Sequence, residues 1–349
     1  WRNQIGKVFG GIFVHPAFHE KIVAISHRTG SVERRDDGNP ILCATDFPSM
    51  VNAAFNPGAT TFEGQTLLLV RVEMRSGLSH LAVATSPDGR TNWTLDPHRG
   101  MSPEVGSFSE HWGIEDPRIT RVGDEYMIVY TGFSDAGPLV CLATTRDFHT
   151  FDRRGVIMSP DDKDAALFPV TFDKRWALIH RPAPAMTSMG NHIWLSWSPD
   201  LRHWGDAAVL IPARRGGWWD ANKVGIGPPP LLTDEGWLVC YHGVKVTASG
   251  SIYRLGLALL DVDHPDRCLV RGDEWVMGPQ TTYERSGDVP DVVFPCGWIL
   301  RDDGDTVDMY YGAADSTVCL ATASLRQLLD HVQTHPCSEP TSLDRRRRS

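Results

Sequence analysis

The chain has 349 residues, 41% hydrophobic and 22% charged, which is ample for a buried core and fits one large domain or two ordinary ones. A net charge of -9 argues against nucleic acid as the main partner. No stretch is long and apolar enough to cross a bilayer and no charged-then-apolar leader opens the chain, so no membrane partner is expected.

The first forty residues, with Gly10-Gly11 and an apolar segment at 22–25, yield no assignable element. A recurring unit then appears: an apolar strand, a turn with a small hydroxyl and an Asp, and an aromatic. It reads 81–89 leading to Trp93, 140–148 leading to Phe151, and 193–201 leading to Trp204, with weaker echoes at 255–261 and 318–323. A strand precedes each unit, at 66–72, 125–130, 176–180, 236–242 and 307–311. Strand-rich repeats at roughly fifty to sixty residues with aromatic turns favour a propeller, so the expected fold is all-β, a five-bladed β-propeller. Helical spacing is confined to 324–332, behind a Ser324 N-cap, which predicts one short C-terminal helix. The expected organisation is a single propeller domain over 1–332 with an N-terminal extension, then a disordered basic tail over 333–349. Numbering from Trp1 suggests a start inside a longer gene product. Seven scattered cysteines without a CxxC favour reduced thiols in a cytoplasmic setting over a disulfide framework or a metal site.

Propellers bring the innermost strand of every blade to one axis, so polar residues that interrupt apolar strands are the candidates. Residues 111–120 carry Glu115-Asp116-Pro117-Arg118 where a turn enters a strand. Pro117 is expected to hold Asp116 extended and so aim its carboxylate, which suits a catalytic acid. The alternative is an Asp–Arg salt bridge closing a turn. The other candidates are Asn56, Arg71 and Glu73 in the first blade, Lys163, Asp164 and Arg181 in the third, Lys223, His242 and Tyr253 in the fourth, and Asp288 and Asp315 in the fifth. Lys163, Arg181, Lys223 and His242 fall together in blades three and four, whereas most carboxylates fall in blades two and five. If these ends converge, a cationic cradle faces an acid, an arrangement suited to inorganic phosphate or a phosphorylated substrate. Trp218 and Trp219 offer flat faces for a sugar ring, or are simply core.

Six motifs together resemble glycoside hydrolase family 130: Phe55-Asn56-Pro57-Gly58, residues 113–118, residues 163–169, His180-Arg181-Pro182, Tyr241-His242-Gly243 and residues 311–315. The resemblance covers roughly residues 39–329 and implies a five-bladed propeller acting on β-mannosides. It implies that Asp116 is the catalytic acid, that Asn56, Arg71 and Asp315 hold the mannose, and that Arg181, Lys223, His242 and Tyr253, with Lys163, bind phosphate. Glu115, Arg118 and Asp288 join the substrate-binding set, with Arg118 either orienting the acid or touching sugar. The implied reaction is inverting phosphorolysis to α-mannose 1-phosphate, reversible as synthesis, with phosphate as co-substrate and no cofactor or metal. A phosphate anion needs no second carboxylate as base, which fits one acid. As a whole the sequence looks more like the β-1,2-mannobiose and β-1,2-oligomannan phosphorylases than the β-1,4 branch. A β-mannosidase using Glu73 or another carboxylate as base, and a non-catalytic sugar-binding propeller, stay open. So does the oligomeric state, a homo-oligomer included.

Overall fold

The computed structural model describes residues 33–48, 50–184 and 190–337. Two short strands, β1 (Arg34–Arg35) and β2 (Leu42–Cys43), precede the first full sheet. Blade one comprises β3 (Val51–Phe62), β4 (Gln65–Met74), β5 (Ser79–Ser86) and β6 (Thr94–Met101). Blade two comprises β7 (Ile114–Val122), β8 (Glu125–Ser134), β9 (Gly137–Thr145) and β10 (Asp152–Met158). Blade three comprises β11 (Asp162–Phe172), β12 (Arg175–Pro182), β13 (Ile193–Ser198) and β14 (Gly205–Ile211). Blade four holds β15 (Lys223–Ile226), β16 (Leu231–Thr233), β17 (Gly236–Thr247), β18 (Gly250–Leu260) and β19 (Cys268–Arg271). Blade five holds β20 (Val293–Leu300), β21 (Thr306–Ala313) and β22 (Thr317–Ser324), completed by β1 and β2 pairing with β22. The ring is thus closed by strands from both ends of the described chain, a join for which the first forty residues gave no sequence signal.

The predicted strands are the second and third of each blade. Those central strands read as continuous apolar runs because each is buried on both faces and alternates between two neighbours. Leu67 and Leu69 pack with Ile119 and Ile128 of blade two, whereas Leu68 and Val70 pack with Tyr310 and Leu320 of blade five. Equivalent clusters fill the interfaces between blades two and three, three and four, and four and five. Each fully buried Leu or Ile contributes about 1.5–3 kcal/mol, so these interfaces are the main source of stability.

The repeated Asp turns connect the third and fourth strands, at the blade end remote from Arg71. Asp88 Oδ1 accepts from the amides of Arg90 and Thr91 at 2.9 and 2.8 Å. Asp147, Asp200 and Asp261 cap their own turns in the same way. They close hairpins, as Asx turns do, and take no part in the site.

One helical turn, α1 (Thr282–Arg285), leads into blade five. The terminal helix α2 (Leu325–Thr334) begins at Ser324, whose hydroxyl accepts from the Gln327 amide at 3.3 Å, and buries Leu325, Leu328 and Val332. It therefore continues into the segment expected to be tail. The arginine run at 345–348 lies outside the described residues. No helix among the described residues is long and apolar enough to cross a membrane.

Candidate active site

The innermost strands of blades one, two and three all lose register near their start, between Phe55 and Gly58, Glu115 and Arg118, and Lys163 and Ala166. Inside these bulges Asn56, Asp116 and Asp164 adopt positive φ of 46°, 50° and 49°. Asn and Asp tolerate this left-handed conformation better than most residues, and a bulge re-aims the side chain it carries. The three side chains consequently meet in one cavity of about 400 Å3. This corrects the expectation for Asp116: it lies within β7 rather than before it, and is left-handed rather than extended. Arg118 Nη1 donates to the Asp116 carbonyl oxygen at 2.8 Å, and the bulge overrides the usual preference of a residue preceding proline.

The cavity is lined by Asn56, Arg71 and Asp116 on one side, by Lys163, Asp164, Arg181, Lys223, His242 and Tyr253 on the other, and by Asp315. Val289, Val292 and Phe294 add apolar wall. On the acid side, Asn56 Nδ2 and Arg71 Nη1 donate to the same oxygen, Asp116 Oδ1, at 2.9 and 3.1 Å. Arg71 is held in turn by Glu115 Oε1 at 3.0 Å and by the Ser79 hydroxyl at 3.1 Å. Burial pushes the Asp116 carboxyl up, but Arg71, Lys163, Arg118 and the Asn56 amide together hold it below the usual range. Asp315 moves the other way, raised to about 6 by burial and by the charge of Asp116.

On the cationic side, Asp164 Oδ2 accepts from Arg181 Nε and Nη2 at 2.9 and 2.6 Å and lies 3.3 Å from His242 Nε2. Gly225 makes room for this cluster, because a Cβ there would sit 2.5 Å from His242 Cε1 and 2.6 Å from Asp164 Oδ2. The carboxyl of Asp164 is held well below its ordinary value: burial opposes this, and Arg181, His242 and Lys163 prevail. Lys163 Nζ lies 3.9 Å from Glu115 Oε2, and Lys223 Nζ sits 5.0 Å from the Tyr253 ring centroid. Burial and the Arg181 charge lower the Lys223 amine to about 8, while burial raises the Tyr253 hydroxyl to about 12. Burial also lowers His242 to about 4, so at neutral pH it is an uncharged ring rather than the cation anticipated from sequence.

Most sequence-selected residues therefore converge, with instructive exceptions. Arg118 is 1% exposed and donates to the carbonyls of Asp116, Ile226 and Gly227, so it positions the acid's backbone and is spent before it could reach a sugar. Glu115 lies behind Arg71 and Lys163 rather than on the cavity wall. Asp288 is exposed outside the wall and accepts from Asn52 Nδ2 at 2.7 Å. Trp219 is buried and stacks on Tyr241 at 5.7 Å, and Trp218 packs beneath Arg214 at 3.9 Å, so neither offers its face to the cavity. Asp164 was noted in sequence but given no role. Its signal was the shared pattern of Asn56-Pro57, Asp116-Pro117 and Asp164-Ala165 at equivalent inner-strand positions.

A family model described as beta-1,4-mannooligosaccharide phosphorylase matches residues 25–334. The beta-1,2-mannobiose phosphorylase of Listeria innocua is 37% identical over 261 residues, covering 74% of this chain and 70% of that protein. The beta-1,4-mannooligosaccharide phosphorylase of Ruminococcus albus is 30% identical over 309 residues, covering 86% and 91%. A solved structure of the Listeria innocua enzyme with beta-1,2-mannobiose superimposes with a TM-score of 0.79 at 30% identity, over 87% of this chain and 99% of that one. Sequence and fold agree that the chain belongs to glycoside hydrolase family 130.

Proposed function

We propose that this protein cleaves β-mannosides by inverting phosphorolysis, with β-1,2-linked mannobiose and oligomannan as preferred substrates and α-mannose 1-phosphate as product. The observation that carries the reading is the meeting of Lys163, Arg181 and Lys223, with His242 and Tyr253, in the same cavity as Asp116. Two fixed cations and a third that is charged below about pH 8 suit an anionic co-substrate. A phosphate oxygen forms the bond to the anomeric carbon while the glycosidic bond breaks. The leaving oxygen takes the proton of Asp116, relayed by a sugar hydroxyl in the manner the family resemblance implies. Asn56 and Arg71 occupy Oδ1, so Oδ2 is the oxygen left for that proton.

In the unliganded cavity Asp116 is ionised at neutral pH, because the cations around it hold its carboxyl low. A phosphate beside Lys163 offsets part of that positive field and raises Asp116, so the acid gains its proton when the co-substrate is present. Asn56, Arg71 and Asp315 line the cavity with Asp116, which supports the role the resemblance gives them, holding the mannose being cleaved; the products are mannose 1-phosphate and a mannoside shortened by one unit. The seven free thiols support a reducing, cytoplasmic setting.

Incubation with β-1,2-mannobiose, with and without inorganic phosphate, is followed by phosphorus NMR. Mannose 1-phosphate should form only when phosphate is present. Free mannose as the sole product in both buffers would overturn the reading in favour of hydrolysis. The β-1,4 relative motivates a second reading of linkage, and synthesis from mannose 1-phosphate on a panel of acceptors separates the two by product linkage.

A further inference from the structure

We infer that the rim loop before β7 is a stacking platform for the distal rings of a mannan chain on its leaving-group side. The inference rests on the phosphorolysis reading. The loop, residues 102–113, joins β6 to β7 and is firmly built. Glu110 is 2% exposed; its Oε1 accepts from the Tyr130 hydroxyl at 2.6 Å and its Oε2 from the Glu104 amide at 2.7 Å. Gly113 has φ 111°, and a Cβ there would lie 2.8 Å from the Ser79 amide nitrogen. Ser79 is the residue whose hydroxyl anchors Arg71, so the loop is packed directly onto a support of the acid.

This rigid loop nonetheless turns large apolar side chains to solvent. Phe108 is 63% exposed and Trp112 45%, and Val105 on the same loop is fully exposed. Phe108, His111, Trp112 and Phe133 form a continuous run of rings with successive centroids 6.2, 5.3 and 5.6 Å apart. His111 Nε2 lies 3.3 Å from Asp135 Oδ2, which gives the run a polar edge. Exposed aromatic surface of this kind, held rather than collapsed, marks a binding surface. The apolar C–H faces of pyranose rings match the aromatic faces, and the His111–Asp135 edge meets their hydroxyls.

Position selects the occupant. Asp116 gives its proton to the glycosidic oxygen, so the leaving group lies on the blade-two side, away from Lys163, Arg181 and Lys223. Trp112 is four residues upstream of Asp116, on the loop that leads into β7, and none of Phe108, His111 and Trp112 lines the cavity that holds the acid. The run of rings is therefore placed for the sugars beyond the first leaving-group ring. The platform therefore discriminates by chain length and leaves disaccharide cleavage alone.

Trp112→Ala, and Trp112→Ala combined with Phe108→Ala, are assayed with inorganic phosphate on the β-mannosyl disaccharide and on the tri- and tetrasaccharide of the same linkage. Disaccharide kcat/KM should stay within about twofold, while tetrasaccharide kcat/KM falls about tenfold through KM, the upper end of what an aromatic contact supplies. Trp112→Phe should restore most of it. Equal loss at every length, no loss at any length, or a loss of self-association in sedimentation without a length-dependent change would each overturn the proposal. If the wild-type protein releases no mannose 1-phosphate from any of these, the phosphorolysis reading fails by itself. The platform is then judged by calorimetric titration of the Asp116→Asn protein with the tetrasaccharide: binding weakened by Trp112→Ala supports it, and unchanged binding overturns it.

Discussion

The two halves of the cavity use one backbone device for opposite ends. In blade two the left-handed Asp116 receives Asn56 and Arg71 on a single oxygen, and the proposed mechanism assigns the reacting proton to the other. In blade three the left-handed Asp164 gives one oxygen to both Arg181 nitrogens and stands beside His242, so its charge is consumed in holding the cradle. Bulge, residue type and strand position are the same, and the neighbours differ. What separates the two carboxylates is their company: Asp116 meets Asn56 and Arg71, whereas Asp164 meets Arg181 and His242 on one oxygen and has Arg118 3.7 Å from the other.

The largest expected effect comes from breaking the acid half alone. Asp116→Asn keeps the shape and the Asn56 contact region but removes the proton, and should lower kcat on the order of 10³-fold, within the range of general acid catalysis, while calorimetry still detects phosphate binding. Loss of phosphate binding instead would show that the halves are not separable. Breaking the other half comes next. Asp164→Asn removes the counter-charge of a buried arginine, a change that costs about 3–5 kcal/mol when one partner of a buried pair is lost. The melting temperature should fall and the phosphate KM rise about tenfold or more, with a smaller change in the mannoside KM. Similar shifts in both KM values would contradict the strut role.

The smallest effect sharpens the cationic half by pH. Lys223 binds an anion only when protonated, and burial with Arg181 has lowered its amine to about 8. The charged form dominates below that value and is lost above it, so the phosphate KM should climb as pH rises through about 8. Lys223→Arg keeps its charge through this range and should flatten the climb by a few-fold relative to wild type, a comparison in which the titration of phosphate itself cancels. An identical climb in both proteins would remove Lys223 from the cradle.

What was legible in the sequence followed the strength of local signals. The Asp turns and aromatic closers after residues 86, 145 and 198 repeat most clearly, yet they are hairpin fastenings at the end remote from the site. They revealed the number of blades without touching function. Asn56, Arg71, Asp116, Arg181, Lys223, His242 and Tyr253 stand out because each interrupts or adjoins an apolar strand, and the family resemblance then supplies their roles. Arg118 and the tryptophans at 218 and 219 were assigned by residue type, and type does not say that a guanidinium is already committed to three carbonyls or that an indole is covered by another ring.

Sequence by itself determined the all-β propeller, the terminal helix and the segregation of cations from carboxylates, because these rest on periodicity and on residue chemistry, which are local. Tertiary structure decided the closure of blade five by β1 and β2, the left-handed bulges and the charge state of His242. It also placed Asp164 against Arg181 and left Trp112 exposed on the loop that leads into β7. The reason is physical. A strand's pattern fixes what its residues prefer, whereas the conformation of a bulge and the protonation of a buried ring depend on groups brought from other blades to the axis.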